Sequence, residues 1–172
     1  MYHPLAVAGA LTLAVCTIAS PVRAWTLDIL HFNDFHSRVE SINAFDSTCS
    51  AEDESAGKCF GGAARLVTEV AKLRDDIRAK GGNVVTLMAG DAFQGSLFFT
   101  TYSGKAEAEM LNRVGLDAMA YGNHEFDLGP GPLAAFIREA EFPVLSGNVD
   151  VSKDKDLAPL AVDHLILDVG GK

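Results

Sequence analysis

Positive charge is scarce in this sequence. Its 172 residues carry 14 lysines and arginines against 23 aspartates and glutamates, for a formal net charge of −9 and a pI near 4.9. Such a balance excludes a broad phosphate-tracking surface and therefore a dedicated nucleic-acid binder. A small phosphate ester stays compatible as a substrate, because divalent ions in a cleft reverse the local sign. No stretch supplies a comfortable membrane span: the one sustained apolar run, residues 4–20, falls short, and no stop-transfer pattern follows it. There is no internal repeat and no low-complexity tract, so the organisation has to be read from single elements.

Histidine and cysteine are sparse as well, and their positions are informative. Cys16 falls in the apolar run, which ends at Val22-Arg23-Ala24, a small-x-small pattern. Residues 1–24 read as a cleaved export signal, with the mature chain, residues 25–172, starting at Trp25. The signal is atypical in having no lysine or arginine before its apolar run. A retained membrane anchor is the competing reading. A lipoprotein site at Cys16 is another, against which stands Val15, a poor residue just before the cysteine. The protein is thus expected to be secreted or periplasmic, with no stable membrane insertion after cleavage. Export leaves Cys49 and Cys59, which flank an acidic segment. An oxidising compartment favours a disulfide between them, closing a loop of about ten residues that the chain-entropy treatment values at about 3 kcal/mol. Zinc is the alternative, but a structural site wants four ligands and no histidine lies in this insert.

The mature length suffices for one domain with a sizeable core. Residues 25–32 alternate in character and read as a strand, followed by a long polar loop to residue 60. Residues 63–80 carry Leu66, Val67, Val70, Leu73 and Ile77 on one helical face, with Gly81-Gly82 as the stop. Residues 83–89 form a short apolar run of the buried parallel type. A helix over 105–114, a strand over 117–121 and a helix from Pro130 to about residue 141 follow, proline suiting a first helical turn. Residues 143–146 and 165–169 read as two more strands, separated by a charged surface loop at 151–156. Strands alternating with helices of this length predict an α/β fold with a mostly parallel sheet. The chain ends near what reads as a hairpin tip.

Metal-capable side chains gather where three of these strands end: Asn33-Asp34-Phe35-His36, Gly90-Asp91 and Gly122-Asn123-His124-Glu125-Phe126-Asp127. On an extended exit, residues two apart point the same way, so Asp34 and His36 can meet one ion while Phe35 turns into the core. Gly90 lets the backbone turn sharply, and the Asp91 carboxylate beside it can bridge two metals with its two oxygens. Asn123 offers a neutral amide oxygen, which leaves an ion electrophilic. His124 and Asp127 lie three apart, a spacing that lets a carboxylate orient an imidazole. Singly, each stretch has an ordinary reading: a loop aspartate, a Gly-Asp turn, a capping histidine. Three in chain order, all at strand ends, predict a two-metal hydrolytic site on the carboxyl edge of the sheet. Phe93, Phe98, Phe99 and Tyr102 are expected to pack rather than line a pocket, and Arg38 is divided between phosphate and a surface ion pair.

The wording N-D-F-H, G-D-A-F-Q-G and G-N-H-E-F-D resembles the calcineurin-like metallophosphoesterases, in particular their 5'-nucleotidase group, which reads N-D-x-H, G-D-x-x-x-G and G-N-H-E-F-D. The likeness extends to Gly61-Gly62-Ala63-Ala64-Arg65-Leu66, Gln94-Gly95 and Ser146-Gly147-Asn148. It implies the N-terminal portion of an α/β/β/α sandwich and two divalent ions (Zn, Mn or Co). Asp34, His36 and Asp91 would hold one, Asp91 and Asn123 the other. It also implies that His124 stabilises charge developing in phosphoryl transfer, that Asp127 orients His124, and that water attacks phosphorus in line. The implied substrate is a nucleoside 5'-phosphate. A 2',3'-cyclic nucleotide or a thiosulfate-type substrate is the alternative within the fold, and a non-catalytic metal- or phosphate-binding segment the alternative outside it. The family pattern further demands later histidine ligands, usually in G-H-x-H, and a C-terminal nucleoside-binding domain. His164 has no glycine beside it and is expected to be no ligand. The chain is therefore expected to be part of a longer polypeptide and inactive without the rest.

Overall fold

The computed structural model describes residues 24–172; the segment read as an export signal, with Cys16, lies outside the described residues apart from Ala24. Four strands, β1 (Leu27–Phe32), β2 (Asn83–Met88), β3 (Ala118–Ala120) and β4 (Val144–Leu145), form one sheet in the order β1-β2-β3-β4. Every pairing is parallel. The helices are α1 (Ala51–Ser55), α2 (Ala63–Ala79), α3 (Leu97–Tyr102), α4 (Lys105–Val114) and α5 (Pro130–Glu139). A helix accompanies each crossover, as parallel pairing requires: α2 before β2, α4 before β3 and α5 before β4. This is the α/β class with a parallel sheet that the sequence predicts. Among the described residues, no helix is long and apolar enough to cross a membrane.

The central strand explains the order. In β2, Val84, Val85, Thr86 and Met88 are all buried, as a strand covered on both faces must be. Thr86 is the polar exception, and it is satisfied. Its N–H donates to Asp117 Oδ2 (2.7 Å), and its hydroxyl accepts from Arg74 of α2 (2.9 Å). The same guanidinium donates to the Val114 and Gly115 carbonyls at the end of α4, where a cation also complements the helix dipole. Helices and sheet enclose Phe93, Leu111, Met119, Leu133 and Phe136, each essentially without solvent exposure. Full burial of a side chain of this kind stabilises by about 1.5–3 kcal/mol. Phe93 stands edge-on to Phe136 at 5.2 Å and lies 5.0 Å from Phe99, so both aromatics of this region pack as expected. Phe98 is half-buried, whereas Tyr102 is exposed.

Several expectations are corrected. The polar loop before α2 contains α1, capped by Ser50, whose hydroxyl accepts from the Asp53 N–H (3.1 Å). Around it Cys49 and Cys59 are joined as a disulfide, as expected. The loop read at 151–156 is not wholly superficial, because Val151 and the following Leu157 are buried. Residues 165–169 are not a strand, and no hairpin closes the chain. That apolar run pairs with none of the four strands and leaves Ile166 exposed, and a strand requires a partner for its N–H and C=O groups. Of the sandwich implied by the resemblance, one sheet is present among the described residues.

Candidate metal centre

Parallel register decides where the three metal-capable stretches fall. Phe32 pairs with Met88, and Met88 with Met119, so β1, β2 and β3 finish at nearly the same level. Their exits leave together at the carboxyl edge of the sheet, the usual place for sites in such folds. The first exit then runs alongside the second: Asp34, His36 and Ser37 donate their N–H groups to the carbonyls of Gly90, Asp91 and Ala92, at 2.9 to 3.1 Å.

This ladder replaces the extended exit that the sequence suggests for Asp34 and His36. Asp34, His36 and Ser37 all have positive φ (54°, 47° and 53°), as does Asp91 (57°). Left-handed backbone costs a non-glycine residue about 1–2 kcal/mol, and it clusters where a site over-determines the chain. The consequence for the side chains is nevertheless the expected one. Phe35 is buried, and the Asp34 carboxylate and His36 imidazole meet at 3.2 Å. His36 Nδ1 lies 3.1 Å from the Phe93 carbonyl, which can only accept. Nε2 faces Asp34 Oδ1, also an acceptor, so both ring nitrogens lie against acceptors, and a metal held by His36 would take the place of one of them.

The second and third exits are pressed together. A Cβ on Gly90, whose φ is +88°, would stand 2.4 Å from the Gly122 nitrogen, and one on Gly122 would stand 2.2 Å from Asp91 Oδ1. Only glycine fits at either place. The close approach sets Asp91 beside the 3₁₀ turn His124–Phe126, whose first N–H donates to Asp91 Oδ1 (3.1 Å). His36, Asp91 and His124 thereby present ligand atoms that lie within 4.8 Å of one another, and the two imidazole rings meet edge-on at 5.0 Å. Asn123 is exposed at the same edge, and its side-chain amide has no hydrogen-bond partner among the described residues.

His124 and Asp127 form the pair that their spacing suggests, with Nδ1 to Oδ2 at 2.8 Å. The hydrogen bond that His124 donates to Asp127 raises its pKa above the ordinary imidazole value. Partial desolvation opposes this, and the charges of Asp127, Asp91 and Glu125 add to it. A carboxylate only accepts, so Nδ1 donates and Nε2 is left for a partner outside the protein. Among the described residues, no lysine or arginine ion-pairs with Asp34, Asp91 or Asp127. Such a set of carboxylates, imidazoles and one amide, without a protein cation, fits a borderline divalent metal.

The remaining candidates divide. His164 is exposed and is not among the clustered side chains. Arg38 is held by Asp46 (2.8 Å) and the Gly95 carbonyl (2.8 Å), which settles it as an ion pair. Cys49, Glu54 and Cys59 also lie close together, but the disulfide occupies both sulfurs. The sequence pattern does not single out Glu125, the one member of the third stretch that is completely buried. Its only signal is a charged residue set between His124 and Phe126 in a turn against the core.

Comparison with known proteins agrees with this geometry. Residues 27–172 match the family described as Calcineurin-like phosphoesterase. Human 5'-nucleotidase is 41% identical over 164 residues, covering 93% of this chain and 27% of that protein. The crystal structure of a 5'-nucleotidase precursor from Thermus thermophilus superposes with a TM-score of 0.68 at 40% identity, covering 84% of this chain and 26% of that one. An NAD nucleotidase structure from Haemophilus influenzae gives 0.56 at 32% identity, over 70% and 20% of the two chains. The chain thus spans about a quarter of the length of these relatives. With the matched region running through all three exit loops, this chain belongs to the calcineurin-like phosphoesterase family.

Proposed function

We propose that this chain is the N-terminal part of an exported phosphoesterase that hydrolyses nucleoside 5'-phosphates to nucleoside and phosphate with two divalent ions. The observation that carries the reading is the meeting of His36, Asp91 and His124 within 4.8 Å at the carboxyl edge of the sheet. Asp34, His36 and Asp91 would hold one ion, and Asp91 and Asn123 the other. When bound, such ions supply electrophilic stabilisation of the phosphoryl oxygens and a nucleophilic water at neutral pH. The chain's own residues do the positioning. Asp91 would serve both ions, the Phe93 carbonyl holds the His36 ring through Nδ1, and Asp127 orients His124, which would face the charge that develops during transfer.

The substrate class is supported by relatives named as nucleotidases at 40% identity and above. Export is supported by the leader-like residues 1–24 and by the Cys49–Cys59 disulfide, which suits an oxidising compartment. The remaining metal ligands and the nucleoside-binding residues are assigned to sequence beyond Lys172. Phosphate release from AMP with added zinc or manganese tests this division, comparing residues 25–172 with the full-length protein at equal concentration. The full-length protein is expected to be active and residues 25–172 nearly inactive. Turnover of the shorter chain within about tenfold of the longer one would overturn the assignment, since positioning contributes a large share of phosphoryl-transfer catalysis.

A further inference from the structure

Glu125 has no solvent exposure, and among the described residues no lysine or arginine pairs with it. Among the described residues, its two carboxyl oxygens are held by peptide N–H groups alone. Oε2 accepts from Gly122 (2.6 Å) and Asp91 (3.0 Å), while Oε1 accepts from Ala92 (2.7 Å) and Phe93 (3.3 Å). Three of these donors belong to the loop after β2 and one to the loop after β3, so a single carboxylate ties the two exits together. The tie is reciprocal, because the Asp91 carboxylate accepts from the His124 N–H in return (3.1 Å). An ionised carboxylate has acceptor sites for about four donors and no donor of its own, which matches this surrounding set.

The bonded N–H groups are those whose orientation aims the site. Asp91 carries left-handed backbone (φ 57°), and Glu125 accepts from its N–H and from the next two. We infer that Glu125 is a positioning residue for phosphoryl transfer: it locks the turn that points the Asp91 carboxylate at both metal positions and sets His124 beside it, without touching substrate. This rests on the phosphoesterase reading above. The proposal predicts more than stability, because a loosened turn would misplace Asp91 while leaving the packed core intact.

The test is made in the full-length protein with Glu125→Gln and Glu125→Asp. The amide keeps the size but turns an NH₂ group toward backbone donors. The aspartate keeps the charge but is one methylene too short to reach both loops. Metal affinity is measured on apo protein by competition with a chromophoric chelator, and the cobalt-substituted spectrum is recorded. In folded Glu125→Gln, affinity for manganese is expected to fall about 10- to 100-fold, kcat for AMP to fall by a similar factor, and KM to stay within about threefold. Glu125→Asp is expected to lie between this variant and the unaltered protein. Metal affinity and kcat within about threefold of the unaltered protein in both variants would overturn the proposal. So would variants that unfold, or whose loss of activity matches their unfolded fraction, since either assigns Glu125 to fold stability alone. If the unaltered protein binds metal but releases no phosphate from AMP, the nucleotidase reading fails, and the affinity and spectral measurements still decide the role of Glu125.

Discussion

Asp91 has two kinds of work at once. Its backbone carbonyl accepts from His36, its carboxylate accepts from the His124 N–H, and the same carboxylate lies within 4.8 Å of a ring nitrogen of each histidine. Asn123 offers one amide at the rim. Asp91→Ala in the full-length protein is therefore expected to lose both metal content and activity more completely than Asn123→Ala, by atomic absorption and by phosphate release. Equal metal content and turnover in the two variants would contradict the bridging role. Gly90 is constrained differently, since an added Cβ would meet the Gly122 backbone rather than a side chain that can move. Gly90→Ala is expected to cost about 1–2 kcal/mol from its left-handed backbone alone. The collision adds to this, and the total is read as a fall in the denaturation midpoint with an unchanged m-value.

At the scale of elements, the insert before α2 is the least obvious piece. It has little core of its own: Ile42 bridges to Thr48 and Phe60, α1 buries no residue, and an ion pair from Glu54 to Arg65 ties it to α2. The Cys49–Cys59 bond spans a sequence separation of 10, for which the chain-entropy treatment gives about 3 kcal/mol. Mass spectrometry of the full-length protein, alkylated without reductant, is expected to find neither Cys49 nor Cys59 modified. Two alkylated thiols would rule the bond out. The elements that could be read in the sequence are those with a long period or a continuous apolar run. The run of β2 placed itself, as did Gly115 ending α4; the predicted face of α2 meets the core through Leu66, Val67 and Val70 but leaves Leu73 exposed. Short helices such as α1 and α3 carry too few turns for a period to show, and capping by Ser50 and Ser96 alone does not announce them. Residues 165–169 show the opposite failure: an apolar run indicates burial, but only pairing makes a strand.

For the molecule as a whole, the site was legible because parallel topology converts three separated strand ends into one edge. The left-handed backbone around Asp34, His36 and Asp91 was not legible, since it arises from the ladder between two loops distant in sequence. Neither was the buried Glu125, whose partners are all backbone groups. Acidity at the molecular scale, with a net charge of −9, is reconciled with a phosphate ester only if cations fill the cleft. The most direct measurement is phosphate release from AMP by the full-length protein, stripped of metal by a chelator and then titrated with manganese or zinc. Activity is expected to disappear on chelation and to recover to a plateau at about two equivalents of metal per chain, as a two-ion site requires. Full activity in the stripped protein, or a plateau at about one equivalent, would contradict the two-ion site.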